Sequence, residues 1–225
     1  MNRIKIWDLP TRLVHWLLVA LVAFSWWSAE NHEMEYHRYS GYVLLGVLVF
    51  RLYWGFFGSA TARFAQFVKG PRAVIAYIKS TRASSSGPTA YSPQSTTHRI
   101  GHNPLGALSV IVLLLLLFTQ VGLGLFAVDV DGIESGPLSY LVSFDTGRIL
   151  ADRHEAVFNI LLGFIVLHLV AILFYYFFKR DNLIRPMITG SKTAPPDVQV
   201  VSVSAPLLRV VIGIALAAAT VWVIV

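Results

Sequence analysis

The chain has 225 residues, 56% of them hydrophobic and only 13% charged, with a mean hydropathy of +0.64 and a formal net charge of +6. Soluble domains carry about 25% charged residues, so this composition excludes an ordinary soluble globular protein and points to a membrane. The absence of cysteine excludes structural disulfides, thiolate-held iron–sulfur clusters and covalent c-type haem attachment in one step.

In chain order, the first apolar stretch, about 13–27, follows a basic start and is short enough to compare with a cleaved signal peptide. No small-x-small pattern follows it, Trp26 and Trp27 stand where a cleavage region belongs, and His15 lies inside it, so it reads as a retained helix. A second span covers about 39–57. Between Gly58 and His102, an amphipathic run opened by Gly70-Pro71-Arg72 and ending at Lys79 reads as an interfacial helix on the inner leaflet. It is followed by a linker, Ser80 to Thr97, rich in Ser, Thr, Pro and Gly. The third span covers about 105–128, an acidic loop runs from Asp129 to Asp152, and the fourth span covers about 157–178. A polar linker, 189–204, precedes a fifth span at about 207–225 that contains no His, Asp, Glu or Lys and reads as a packing or anchoring helix. The expected fold is an all-α integral membrane protein: a four-helix transmembrane bundle over 1–188, the linker 189–204, and an additional C-terminal transmembrane helix over 205–225.

Charge orients the spans. With the N-terminus cytoplasmic, Arg38, Arg148 and Arg153 are the only basic residues on the outer side, and all the acids except Asp8, Asp181 and Asp197 fall there. This is the positive-inside pattern of a multi-pass membrane protein, with the C-terminus on the outer side. The net charge is a topology signal and not a nucleic-acid one.

His154 and His168 lie fourteen residues apart on an otherwise apolar span. That spacing sets them only about 40° apart around a helix and roughly 21 Å apart along it, so one face carries imidazoles at two depths. An ionisable group inside a span marks a functional site. The topology pairs His15 with His168 near the inner end, and His37 with His154 near the outer end. Two imidazoles per level, without cysteine or an intramembrane carboxylate, suit the two axial positions of a haem iron better than zinc. The competing class is a haem-free transporter or membrane anchor using the histidines as proton or metal relays; the spans lack the intramembrane carboxylates such carriers place midway. His32 and His98 read as solvated loop residues.

The motifs Asp8-Leu9-Pro10-Thr11-Arg12-Leu13-Val14-His15-Trp16, His37-Arg38 with Gly41, Gly101-His102-Asn103-Pro104-Leu105-Gly106, and Arg153-His154-Glu155 with His168 resemble the di-haem b-type cytochrome family. That family includes the cytochrome b subunit of nickel–iron hydrogenases, the gamma subunit of formate dehydrogenase and the small bacterial cytochrome b561 proteins. The similarity covers about 5–185 and leaves the fifth helix outside. It implies two haem b groups, with His15 and His168 the axial ligands of the inner iron and His37 and His154 those of the outer one. It also implies a quinone site beside the inner haem at Asn103.

His102 is adjacent and reads as a proton relay for that quinone, as a third-haem ligand or as a helix cap. Arg38 and Arg153 on the outer side are placed for haem propionates. Arg12, on the inner side, is placed for propionates or for lipid headgroups. Gly41, Gly46 and Gly163 leave room for a macrocycle or for close helix packing, and Trp16, Trp26, Trp27 and Trp54 read as an interface belt. The expected function is transmembrane electron transfer between a periplasmic redox partner (a hydrogenase, dehydrogenase or cytochrome c) and the membrane quinone pool. The alternative is a stand-alone oxidoreductase with a small outer-side donor such as superoxide. The acidic loop serves either a docked partner or plain solvation.

Overall fold

The computed structural model describes residues 2–68, 70–83, 104–131, 133–194 and 203–225. His98, His102 and Asn103 lie outside the described residues. A short strand, β1 (Asn2–Lys5), leads into α1 (Leu9–Glu30). The Asp8 carboxylate starts that helix by accepting from the Thr11 backbone N–H at 2.8 Å, and Pro10 fits the first turn because its missing N–H is not needed there. The helix ends in a tight reversal. His32 takes a left-handed φ of 59°, the Glu33 N–H donates to the Ser28 carbonyl at 2.8 Å, and α2 (Met34–Phe57) runs back along α1. His32 is exposed, as expected.

The chain continues through α3 (Phe64–Phe67), α4 (Pro71–Ala83), α5 (Pro104–Phe126), a 3-10 turn (Ser139–Leu141), α6 (Phe144–Phe177), α7 (Ile184–Thr189), β2 (Ser191–Ala194) and α8 (Leu207–Ile224). Among the described residues, α1, α2, α5, α6 and α8 are long and apolar enough to cross a membrane, so the all-α membrane architecture holds. α1 packs on α2, α5 on α6, and α2 also on α5 and α8. Leu44, Leu45 and Leu48 of α2 meet Leu117 and Val121 of α5 and Leu161 of α6 in the central core. The other faces of α6 and α8 expose Val166, Leu167, Val170, Leu216 and Val223, a surface for lipid tails. α8 has the packing role expected of it: Val221 lies against Gly46, and the Arg209 guanidinium donates to the Phe57 carbonyl at 3.0 Å.

Three local expectations are corrected. α6 begins at Phe144, where Ser143 accepts from the Thr146 N–H at 3.2 Å, and its 34 residues rise about 51 Å, well beyond a hydrocarbon core of about 30 Å. Asp145 and Asp152, assigned from sequence to a loop, therefore ride on a helix whose polar first turns carry no hydropathy signal. The remainder of that loop folds back on the end of α5: the Gly136 N–H donates to the Ala127 carbonyl and the Leu138 N–H to the Leu125 carbonyl, both at 2.8 Å. Within the expected linker, Ser191–Ala194 is a strand, paired antiparallel with β1 so that Lys5 faces Ser191 and Asn2 faces Ala194. Beside this ribbon, Ile4, Ile6 and Trp7 form a small cluster with Met187.

The third correction is Trp54. Trp16, Trp26 and Trp27 are exposed, as a belt requires, but Trp54 is 1% exposed and packs with Val14, Phe50 and Ala62. Its indole N–H donates to the second carboxylate oxygen of Asp8 at 2.8 Å, so one acid caps α1 and pins the end of α2 to it. Asp8→Ala removes a helix cap and leaves a buried indole N–H unpaired, a combined cost of about 1–3 kcal/mol. The expected result is a lowered Tm in detergent, largely recovered by Asp8→Asn, which still caps and accepts. An unchanged Tm in Asp8→Ala would remove this clamp from the account.

Candidate functional site

Side-chain contacts fix how the helices run. Ser25 of α1 meets His37 of α2, and Trp26 of α1 meets Phe158 of α6 with ring centroids 6.0 Å apart. His15, further back on α1, lies close enough to His168, further on along α6, to sense its charge. α6 is therefore antiparallel to α1 and parallel to α2. The structure brings His37 and His154 into contact at one end of the bundle, and sets His15 and His168 on α1 and α6 toward the other end.

The outer pair has a defined second shell. The His37 Nδ1–H donates to the Ser25 carbonyl at 2.8 Å and also lies 3.2 Å from the Ser25 hydroxyl. The His154 Nδ1–H donates to the Gln120 carbonyl of α5 at 2.8 Å. A carbonyl only accepts, so in both rings the proton sits on Nδ1 and the lone pair on Nε2. Two metal–imidazole bonds of about 2.0 Å would hold two ring centroids roughly 6 Å apart, and the His37 and His154 centroids are 5.9 Å apart with the rings nearly perpendicular. On the inner side, His15 has a buried Nδ1 with no hydrogen-bond partner among the described residues and meets Trp16 edge-on.

Among the described residues α6 packs mainly along α5, and His37 and His154 face each other from α2 and α6. Gly41 and Gly163 border open space, whereas Gly46 serves helix packing against α8. Among the described residues there is no cluster of three or more His, Cys, Asp or Glu side chains of the kind zinc takes. The donor set at each level is two neutral imidazoles, and it fits the axial positions of a six-coordinate haem iron.

The arginines divide differently from expectation. Arg38 is half-buried beside His37, and Arg153 is exposed beside His154, both at the outer level. Arg12 is engaged: its guanidinium donates to the Ile188 carbonyl and to the Asp8 carbonyl, tying the end of α7 to α1.

Two residues escaped the sequence reading. Gln120 supplies the carbonyl that orients His154, and Gly124, one turn further along α5, lets the imidazole lie against the helix, since a Cβ there would stand 2.9 Å from His154 Cε1. The one available signal was a lone Gln in an apolar span, and it marked a residue whose backbone matters more than its amide.

A family model described as prokaryotic cytochrome b561 matches residues 6–190, which spans the bundle and both pairs and stops before α8. No curated protein and no solved structure matches the chain.

Proposed function

The chain belongs to the prokaryotic cytochrome b561 family, membrane proteins that carry electrons through b-type haem, and from that premise we propose that it passes electrons across the bilayer between a periplasmic redox partner and the quinone pool. The observation that supports this best is the outer pair: two imidazoles 5.9 Å apart, each fixed by its Nδ1–H with Nε2 free. In this reading His37 and His154 hold the outer haem, and His15 and His168 hold the inner one. Bound there, the haems would supply one-electron carriage.

The protein's own residues do the positioning. Ser25 and Gln120 set the tautomer and orientation of the outer ligands, which raises their basicity toward iron. Arg38 and Arg153 offer guanidinium forks to the outer propionates. The long spans of α1, α2, α5 and α6 exclude water between the two levels. Asn103 and His102 directly precede α5 and belong to the proposed quinone site, Asn103 donating to a quinone carbonyl and His102 exchanging a proton with the cytoplasm. The distribution of basic residues supports a cytoplasmic N-terminus and a periplasmic C-terminus, and the prokaryotic family supports the bacterial inner membrane.

Haem extraction and iron analysis of the purified protein test the core of the proposal, with two low-spin b haems per chain the expected result. One haem per chain, or a high-spin ferric spectrum, defeats the two-pair assignment. The quinone link has its own test. Asn103→Leu removes one neutral hydrogen bond, about 0.5–1.5 kcal/mol, so quinone affinity is expected to fall roughly two- to tenfold with both haem spectra intact. Unchanged quinone kinetics at full haem content would move the quinone elsewhere.

A further inference from the structure

Arg51 stands on α2 fourteen residues after His37, about 40° around the helix from it and roughly 21 Å nearer the inner end. His168 stands fourteen residues after His154 on the parallel helix α6, and His37 and His154 are level, so Arg51 reaches the depth of the inner pair. It is a cation only 7% exposed, and its Nη1 is buried without a hydrogen-bond partner among the described residues. Trp54 faces Asp8 and His37 faces Ser25 across the α1–α2 hairpin, a register that sets Arg51 opposite Thr11, one turn before His15. The Thr11 hydroxyl is also buried and, among the described residues, also without a partner. Two facing helices thus present two unsatisfied polar groups at one level, beside the inner histidines.

The described residues do not supply what these groups need. Asp8 is near enough for Arg51 to feel its charge, but its oxygens are taken by the Thr11 N–H and the Trp54 indole, and it forms no ion pair among the described residues. Phe64 covers one side, its ring centroid 5.0 Å from the guanidinium carbon, a place it reaches because Gly55 has no Cβ to overlap the ring. A buried guanidinium with an open donor, next to a buried hydroxyl, is built for a carboxylate or phosphate oxygen. Arg12, the inner arginine singled out in the sequence, already donates to two carbonyls.

We propose that Arg51, with the Thr11 hydroxyl, receives a propionate carboxylate of the inner haem and holds that haem's reduction potential up. The inference rests on the assignment of His15 and His168 as inner ligands. A positive charge beside the cofactor neutralises the propionate and favours the state with one more electron, so its removal lowers the potential.

The test is a redox titration of the purified holoprotein in detergent, following both haems by visible absorption and identifying the inner one by its loss in His168→Ala. Arg51→Gln is expected to keep two haems and to shift the inner haem's reduction equilibrium about tenfold toward the oxidised form, 59 mV for a one-electron couple, with the outer haem unmoved. Thr11→Val, a milder change that leaves the charge in place, is expected to shift it about two- to threefold in the same direction. An inner potential unchanged in both variants at full haem content overturns the proposal while leaving the two-haem reading intact. An unchanged potential accompanied by loss of phospholipid phosphorus from the Arg51→Gln protein also overturns it, by assigning the site to a lipid phosphate. Absence of haem from the parent protein would overturn the reading beneath it.

Discussion

A chain carrying His37→Ala is expected to purify with one b-type haem fewer than the parent, for which two are proposed. His37 is the contribution of α2 to the outer level, whereas the inner level draws its imidazoles from α1 and α6, so loss of His37 leaves His15 and His168 in place. His168→Ala is expected to do the converse. Haem content and reduced-minus-oxidised spectra check both. Loss of a ligand also leaves a cavity that can loosen the bundle, so the sharper experiment is His37→Gly with imidazole supplied in the buffer. A ligation defect recovers the outer haem under imidazole, and a folding defect does not. Retention of two haems in both alanine variants would end the assignment.

Gly124→Val is expected to remove the outer haem almost as completely, although residue 124 offers no ligating atom. Even a bare Cβ would stand 2.9 Å from His154 Cε1 and 3.2 Å from Nδ1, and the branched methyls of Val add to that overlap. The helix backbone does not yield, so the ring must leave the Gln120 carbonyl, and with it the bond that fixes the tautomer. Loss of a second-shell partner typically costs about 10- to 100-fold in metal affinity. Gly124→Ala is therefore expected to weaken the outer haem partially and Gly124→Val to abolish it, with the inner haem retained in both. Full outer-haem content in Gly124→Val would mean that His154 does not rest on α5.

The five spans and the meeting of His37 with His154 were legible in the chain itself. The reason is physical: in a bilayer the backbone satisfies its hydrogen bonds within each helix, so apolar length defines the spans and their alternation assigns depth. A fourteen-residue spacing sets two side chains on one face of a helix whatever surrounds it. Asp8 before Leu9-Pro10 was likewise a local helix start, confirmed by its bond to the Thr11 N–H.

What remained invisible in the sequence was whatever depends on the neighbour across a gap. Hydropathy saw the apolar part of α6 but not the polar turns from Phe144 that its cap supports. The β1–β2 ribbon joins residues that flank the matched region on either side, a pairing that no local pattern encodes. Trp54 looked like a belt residue until Asp8 took its N–H, Arg12 looked free until α7 arrived beside it, and Arg51 looked like one more inner-side positive charge until α1 and Phe64 closed over it. Gly124 and the Gln120 carbonyl entered the site because α5 lies against His154. The sequence alone determined which residues carry imidazole and at what depth, because helix geometry and apolar length are local. Only the tertiary structure decided which groups orient those imidazoles and which buried charge still lacks a partner, because burial and hydrogen-bond satisfaction belong to pairs of elements.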